Sequence, residues 1–209
     1  FLVPDGGTLE PKRLLAALAG SARARGAALR EGVRALSLER VAEGWRLQTS
    51  AGPINAGAVV LCLGARALEG LAPPALERVA GDLLALEPSP PLPHPFAGAV
   101  YGGALGGRFW LGGNHRTLDP GAPDPGAHDA EAALRLHSSG AAFVPALRGA
   151  RVTARWTGVR ARAPDHAPLV EELERGLWFF GALGGRGFLC APYLAGRLAE
   201  RLLGRLERA

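Results

Sequence analysis

The sequence predicts an α/β fold of the α+β kind, in which an α/β unit is interrupted by a mostly antiparallel β insertion. Residues 58–63 form a continuous apolar run that stops at Gly64, as expected for a strand buried on both faces of a sheet. Prolines divide much of the region 69–155 into short strand-like segments. Residues 177–203 then indicate a buried strand, a glycine turn and an amphipathic helix.

The first part of the chain predicts a helix followed by a hairpin. Pro11 suits the first turn of a helix that Thr8 or Glu10 caps and that ends at Gly26. Alternating apolar residues over 33–38 predict a strand, and residues 45–47 predict its partner across a short turn.

The insertion predicts further strands and one helix. Its strand-like segments are 83–86, 97–101, 108–112 and 151–156, and residues 129–137 favour a helix. We accordingly divide the chain into 1–68, 69–155 and 156–209, with the outer two parts belonging to one domain.

Composition indicates a soluble globular protein with a basic surface. Hydrophobic residues make up 48% and charged residues 21%, and the formal net charge is +5. No apolar run reaches the length of a membrane span and no leader pattern is present, so we expect a cytoplasmic protein with no membrane partner. All but one of the 24 basic residues are arginine, yet no dense basic run occurs, so a dedicated nucleic-acid surface is the less favoured interpretation.

The sequence contains no pattern typical of a metal site or of a catalytic nucleophile. Cys62 and Cys190 belong to no metal or redox pair, and we expect them to be buried by packing. The histidines lack partners at metal-ligand spacing, so we predict no metal, and no Ser-His-Asp set or nucleophile elbow occurs.

The glycine turn near the C-terminus is the strongest candidate site. Gly184, Gly185 and Gly187 leave room for a flat ring or a phosphate to approach the backbone, and Arg186 adds a positive charge. Free backbone N–H groups and the helix dipole at the start of the following helix favour an anionic or electron-rich ligand. A turn needed only for chain reversal is an equal alternative for this segment alone.

Arg160 is the second candidate. It follows a predicted strand and precedes a turn bounded by Pro164, where a guanidinium can meet a carboxylate. A plain surface arginine is the common alternative for such a residue. Asp165 and His166 lie in the same turn. Such a pair more often stabilises the turn as a cap than provides a general base.

Several segments taken together resemble a family of flavoproteins. The helix start Gly-Gly-Thr-Leu-Glu-Pro at 6–11, the strand end at Gly64, the run Gly-Val-Arg-Ala-Arg-Ala-Pro-Asp-His at 158–166 and the closing turn at 180–192 are similar to FAD-dependent oxidoreductases of the glycine oxidase and D-amino-acid oxidase group. Within that group they most resemble the flavin domain of bifunctional enzymes that mature 5-methylaminomethyl-2-thiouridine at the tRNA wobble position. The resemblance is strongest over 156–203 and thin over 69–155.

The resemblance implies a cofactor and a set of residues that hold it. FAD would bind a Rossmann-like domain, with Val33 near the adenosine and with Gly64 and Ala65 near the phosphate and ribose. Four residues would lie near the flavin ring: Gly184, Gly185, Gly187 and Phe188. The family's phosphate-binding Gly-x-Gly-x-x-Gly does not occur here and would lie upstream of Phe1, so this domain is incomplete. A chain that starts with Phe and contains no Met is also expected to be a piece of something longer.

The resemblance further implies the reaction. Arg160, with Arg186 close to the same site, would hold a substrate carboxylate while a hydride leaves the carbon beside the amine. The substrate would be carboxymethylaminomethyl-uridine in tRNA, an N-substituted glycine, and glyoxylate would be released. Two alternatives remain open: an oxidase acting on a small amino-acid-like substrate such as glycine or a D-amino acid, and a non-catalytic basic fragment that binds RNA.

Overall fold

A computed structural model describes residues 7–66, 75–92, 94–119, 121–125 and 130–206. The fold is mixed α/β with largely antiparallel sheets, which confirms the predicted fold class. Two compact units divide the chain. The first comprises Phe1–Glu31, Ala80–Arg116 and Gly121–Gly158, and the second comprises Gly32–Val79, Thr117–Pro120 and Val159–Ala209.

Three helices and eleven strands are named below. The helices are α1 (Pro11–Ala24), α2 (Ala130–Phe143) and α3 (Gly187–Leu206). The strands are β1 (Ala35–Val41), β2 (Gly44–Thr49), β3 (Ile54–Ala56), β4 (Val59–Leu61), β5 (Glu77–Glu87), β6 (Phe96–Ala97), β7 (Tyr101–Leu105), β8 (Arg108–Leu118), β9 (Arg151–Arg162), β10 (Leu169–Glu174) and β11 (Leu177–Gly181). Among the described residues, no helix is both long and apolar enough to cross a membrane.

Helix α1 begins as the sequence predicts, and the structure selects between the two possible caps. The Glu10 carboxylate accepts the backbone N–H groups of Lys12 at 3.2 Å and Arg13 at 2.9 Å. Pro11 occupies the first helical position, where its missing N–H costs no hydrogen bond. Gly26, with φ of 90°, follows the end of the helix.

The first unit is organised around one sheet and a helix that covers it. The sheet has the strand order β6-β7-β8-β5-β9. Leu84 and Leu86 of β5 and Phe109 and Leu111 of β8 are almost fully buried and pack in one cluster with Leu136 of α2. The alternation of these side chains along their strands explains why one face of the sheet forms the core.

All four strands predicted for the insertion differ from the structure, and the segments 83–86 and 108–112 are parts of the longer strands β5 and β8. Residues 97–101 were expected to form one strand, but β6 ends at Ala97 and the chain bends before β7 starts at Tyr101. The two strands then pair antiparallel through Phe96 and Gly102, so the bend reverses the chain. Strand β9 continues past Trp156 to Arg162, and therefore Arg160 lies within a strand rather than after one. Strand β9 extends this far because it pairs along β5 as the edge strand of the sheet.

The second unit contains two small sheets that share a core. Strands β1, β2 and β3 form an antiparallel meander, and β10, β11 and β4 form the other sheet in that order. Trp45, Leu61, Leu177 and Phe179 are the buried centre of this core. The domain parts predicted as 1–68, 69–155 and 156–209 stay a prediction.

Candidate functional site

A parallel pair of strands defines the edge at which the candidate residues meet. Strand β4 pairs with β11 in parallel, with Val59 opposite Leu177 and Leu61 opposite Phe179. The carboxyl ends of parallel neighbours lie at the same edge, and ligands of open α/β sheets bind outside that edge. Gly64 and Ala65 follow β4 there, and the glycine turn follows β11 there.

The backbone conformation explains why glycine stands at the two key positions of this edge. Gly64 has φ of 62° and Gly184 has φ of 56°, a left-handed conformation that favours glycine. A Cβ atom added to Gly64, Gly184 or Gly185 would meet no atom within 4 Å in the structure. The glycine backbone therefore borders open space, which suits the close approach of a flat ring or a phosphate.

A single 3-10 turn connects β11 to α3. It spans Gly184–Arg186, and α3 starts at Gly187. The first turn of α3 contains no acidic side chain to neutralise the positive end of the helix dipole. The strand, glycine turn and helix predicted from the sequence are thus all present, and Phe188, the second residue of α3, is 47% exposed beside the turn.

The residue before the turn is held by a cluster that sequence reasoning missed. Leu183 forms an isolated antiparallel bridge with Arg162 at the end of β9. The Arg162 guanidinium donates to Oε2 of Glu77, with Nε at 2.8 Å and Nη2 at 2.7 Å. The Nη2 atom also lies 3.4 Å from the hydroxyl of Thr117. Glu77 of β5 and Thr117 of β8 therefore hold the side chain of Arg162 in β9, and the backbone of Arg162 bridges to the residue that precedes Gly184.

Arg160 lies two residues before Arg162 on the same strand. Because side chains alternate along a strand, the two arginines face the same side and the buried Ala161 faces the other. Arg160 is half-buried, so its guanidinium is positioned by the sheet rather than by a loop. Its contact with a substrate carboxylate stays a prediction.

Arg186 is bonded to a neighbouring turn. One of its guanidinium nitrogens donates to the backbone carbonyl of His166. His166 has φ of 63°, and the Asp165 carboxylate accepts the Ala167 N–H at 2.9 Å, which forms a tight turn between β9 and β10. Arg186 thus links this turn to the glycine turn, and its predicted part in catalysis stays a prediction.

The remaining predicted site residue lies elsewhere in the second unit. Val33 is half-buried and precedes β1. No described contact joins it to the glycine turn, so its place near an adenosine stays a prediction.

The cysteines differ from their expectation. Cys62 is exposed and Cys190 is half-buried, whereas packing was expected to bury both. Strand β4 ends at Leu61, one residue before Cys62. The Cys62 side chain therefore lies outside the strand and does not pack in the core. The surrounding protein still removes part of the water from the thiol, which raises the pKa of Cys62.

A second polar network lies in the first unit and was also missed. The Asp82 side chain on β5 is buried and accepts Nη1 of Arg116 at 2.8 Å and the hydroxyl of Thr157 at 2.7 Å. The one sequence signal for this network was the position of Asp82, a carboxylate within the otherwise apolar run 79–86. Among the described residues, no group of three or more His, Cys, Asp or Glu side chains is arranged to hold a metal ion.

Comparison with known proteins agrees with this arrangement. A family model described as "FAD dependent oxidoreductase" matches residues 1–201. The tRNA 5-methylaminomethyl-2-thiouridine biosynthesis bifunctional protein MnmC of Maricaulis maris is 33% identical over 98% of this chain and 33% of its own length. A putative thiamine biosynthesis oxidoreductase, ThiO, of Rhizobium etli is 33% identical over 93% of this chain and 55% of its own length.

Solved structures have the same fold over about half of their length. Glycine oxidase from Geobacillus kaustophilus has 28% identity and a TM-score of 0.76, with 92% of this chain and 53% of that chain covered. Iminodiacetate oxidase from Chelativorans sp. BNC1 has 25% identity and a TM-score of 0.73, with 92% of this chain and 55% of that chain covered. The open glycine turn and the match over nearly the whole sequence agree: this chain belongs to the family of FAD-dependent oxidoreductases.

Proposed function

We propose that this chain is part of an oxidoreductase that uses FAD to oxidise a carbon–nitrogen bond in an N-substituted glycine, namely carboxymethylaminomethyl-uridine at the wobble position of tRNA. The observation that carries the proposal is the glycine turn after β11. It is open to a ligand at Gly184 and Gly185, and it leads directly into the positive end of α3.

The residues present fit the cofactor. The backbone of Gly184 and Gly185 borders open space that a flat ring can occupy, since a Cβ at either position would meet no atom within 4 Å. Gly64 and Ala65 lie after the parallel strand next to β11, where a phosphate or ribose group is commonly bound. The unneutralised start of α3 favours a group that gains negative charge.

The reaction needs a fixed substrate more than it needs protein acids and bases. FAD, when bound, supplies the chemistry by accepting a hydride from the carbon that lies between the amine and the carboxylate. Arg160 binds that carboxylate through paired charged hydrogen bonds and so fixes the carbon in place. Loss of the hydride from this carbon and of the proton from the nitrogen leaves a carbon–nitrogen double bond. Water adds to its carbon, and the carbon–nitrogen bond then breaks, which releases glyoxylate and leaves the primary amine on the uridine.

The names of the relatives support this substrate class. Glycine and iminodiacetate, which two structural relatives are named for, both contain a carboxylate one carbon from an amine nitrogen. The same group is present in carboxymethylaminomethyl-uridine, and several relatives at 28–34% identity are named for the tRNA pathway. One arginine that binds this carboxylate would therefore suit every one of these substrates.

A small-molecule oxidase is the second candidate function. The 0.76 TM-score to glycine oxidase favours it, because that protein is named for a free amino acid. A third candidate is a non-catalytic basic protein that binds RNA, which the net charge of +5 favours.

Anaerobic flavin reduction separates the three candidates. The purified chain is titrated with FAD, and its flavin absorbance is followed after addition of hypomodified tRNA, glycine, sarcosine or iminodiacetate. Bleaching by tRNA that carries the carboxymethylaminomethyl group supports the proposal. Bleaching by glycine or sarcosine alone supports the small-molecule oxidase, and tRNA binding without flavin binding supports the RNA-binding protein.

A further inference from the structure

An exposed row of arginines lies at the edge of the five-stranded sheet in the first unit. Strand β9 is the last strand in the sheet order, and all of its residues from Arg151 to Trp156 are exposed. Arg148, in the turn just before the strand, is exposed as well. We call Arg148, Arg151 and Arg155 the arginine row.

The arginine row has no acidic partner in the described part of the chain. Other arginines do: Arg23, Arg108 and Arg116 each have a carboxylate oxygen within 2.8 Å. No Asp or Glu occurs in the sequence between Glu131 and Asp165. Among the described residues, the positive charge of the row is therefore not neutralised by an ion pair.

The backbone that carries the row is held firmly to the core. Leu147 is 0% exposed and Ala150 is 7% exposed, so they anchor the turn on both sides of Arg148. The Thr153 hydroxyl donates to the Ala85 carbonyl at 3.3 Å. The row is thus fixed at its base, and only the flexible arginine side chains need to be ordered when a ligand binds.

The spacing of the row suits a ligand with repeated negative charges. Arg151 and Arg155 are four residues apart on one strand, so they lie on the same face and are separated by about 13 Å. A single carboxylate cannot bridge that distance, whereas successive phosphates of a nucleic-acid strand can. Trp156, next to Arg155, is 57% exposed but projects from the opposite face of the strand, so it is not part of the row.

We infer that the arginine row is a contact surface for the RNA backbone. The inference rests on the proposed function, because that function supplies a tRNA partner, but it concerns a surface to which no role has been assigned. Basic side chains also protect an exposed strand edge from pairing with another chain. That explanation predicts self-association, not loss of RNA binding, when the arginines are removed.

The test is RNA binding by the triple variant R148A/R151A/R155A. A fluorescent anticodon stem-loop of tRNA is titrated with the chain between 50 and 200 mM KCl. Each lost phosphate contact lowers the slope of log affinity against log salt by about 0.7, so the triple variant is expected to lose a slope of about 2 and about 100-fold in affinity at 0.1 M salt. Trp156→Ala removes an exposed side chain from the opposite face of the strand and is expected to leave both the affinity and the slope unchanged.

The control variant is R13A/R30A/R34A, which removes the same charge from exposed arginines outside the row. It is expected to retain most of the affinity. Equal binding by the wild-type chain and the R148A/R151A/R155A variant overturns the inference, as does an equal loss in the control. Self-association of the triple variant with unchanged RNA affinity assigns the row to edge protection. The flavin-reduction assay is separate: if only glycine bleaches the flavin, the proposed substrate fails while the RNA-binding result stands by itself.

Discussion

The guanidinium of Arg162 donates to one oxygen of Glu77 through two nitrogens, at 2.8 Å and 2.7 Å, across 85 residues of sequence. The backbone of the same arginine bridges to Leu183, the residue before Gly184. An ion pair at the end of two strands is thus connected directly to the turn that we expect to contact the flavin.

Arg162→Met is expected to lower the free energy of unfolding by about 1–2 kcal/mol and to weaken FAD binding, because a half-buried charged hydrogen bond is lost and the turn after Leu183 loosens. Arg162→Lys keeps the charge and is expected to restore part of both. Urea unfolding and flavin fluorescence titration are the measurements. Arg108→Met is the control, since it breaks a 2.7 Å pair with Glu87 in the first unit. An equal loss of FAD affinity in that control contradicts a specific effect on the turn.

Arg116→Ala is expected to destabilise the protein by about 3 kcal/mol, because it leaves the buried Asp82 carboxylate without its opposite charge. The double variant Asp82→Asn with Arg116→Gln is expected to recover much of that loss. Arg135→Ala breaks an exposed pair with Glu131 and is expected to cost less than about 0.5 kcal/mol. Thermal and urea unfolding measure all three, and equal costs for Arg116→Ala and Arg135→Ala would show that burial of Asp82 has no consequence.

His166→Gly is expected to be more stable than His166→Ala by about 1 kcal/mol, because the backbone at this position has φ of 63°. The ordering is measured by urea unfolding. Asp165→Gly is the matched control and is expected to be destabilising, since it removes the carboxylate that accepts the Ala167 N–H. A reversed order of the two His166 variants would mean that the imidazole makes a compensating contact.

Arg160→Ala is expected to raise KM for the N-substituted glycine about 100-fold while flavin absorbance persists, because a paired charged contact to the carboxylate is lost. Arg160→Lys is expected to raise KM less, since it keeps the charge but not the paired geometry. Steady-state kinetics with the FAD-loaded protein measures both. Loss of flavin instead of substrate affinity would place Arg160 against the cofactor.

Alkylation of Cys62 by iodoacetamide is expected to be slow at pH 8 and to keep rising above pH 9. The reason is that the surrounding protein partly desolvates this thiol, although the residue is exposed, and so raises its pKa; the reactive thiolate therefore forms at higher pH than in a free cysteine. Cys190→Ser isolates the signal in mass spectrometry, and the urea-unfolded chain supplies the reference rate. A profile that matches the unfolded chain would contradict the raised pKa.

Local sequence signals were sufficient for several elements of the candidate site. The apolar run at 177–181, the glycines at 184–187 and the amphipathic pattern after them act over a few residues, and the structure has β11, the turn and α3 in those places. The helix start was predicted with a cap at Thr8 or Glu10, and the structure selects Glu10, whose side chain bonds to backbone groups two and three residues away. Such features depend on propensity and capping, which neighbouring residues decide.

Strand ends and strand extensions were less predictable. The sequence indicated a strand over 151–156, yet β9 continues to Arg162 because β5 lies beside it. Local composition likewise predicted one strand over 97–101. In the structure Phe96 pairs antiparallel with Gly102, so the chain reverses its direction between these two residues. Pairing with a distant strand supplies hydrogen bonds that local composition does not reveal.

The sequence by itself determined the fold class and the glycine turn with its helix. It also determined the arginine and glycine motifs by which the chain resembles the flavoprotein family. Only the tertiary structure decided which arginines are paired: Arg162 with Glu77, Arg116 with Asp82, and Arg186 with the His166 carbonyl. It also left the row at Arg148, Arg151 and Arg155 without acidic partners among the described residues. Periodicity and turn chemistry act along a few residues of the chain. Charge pairing depends instead on the order of strands in a sheet, which brings together Arg116 and Asp82, 34 positions apart, and Arg162 and Glu77, 85 positions apart.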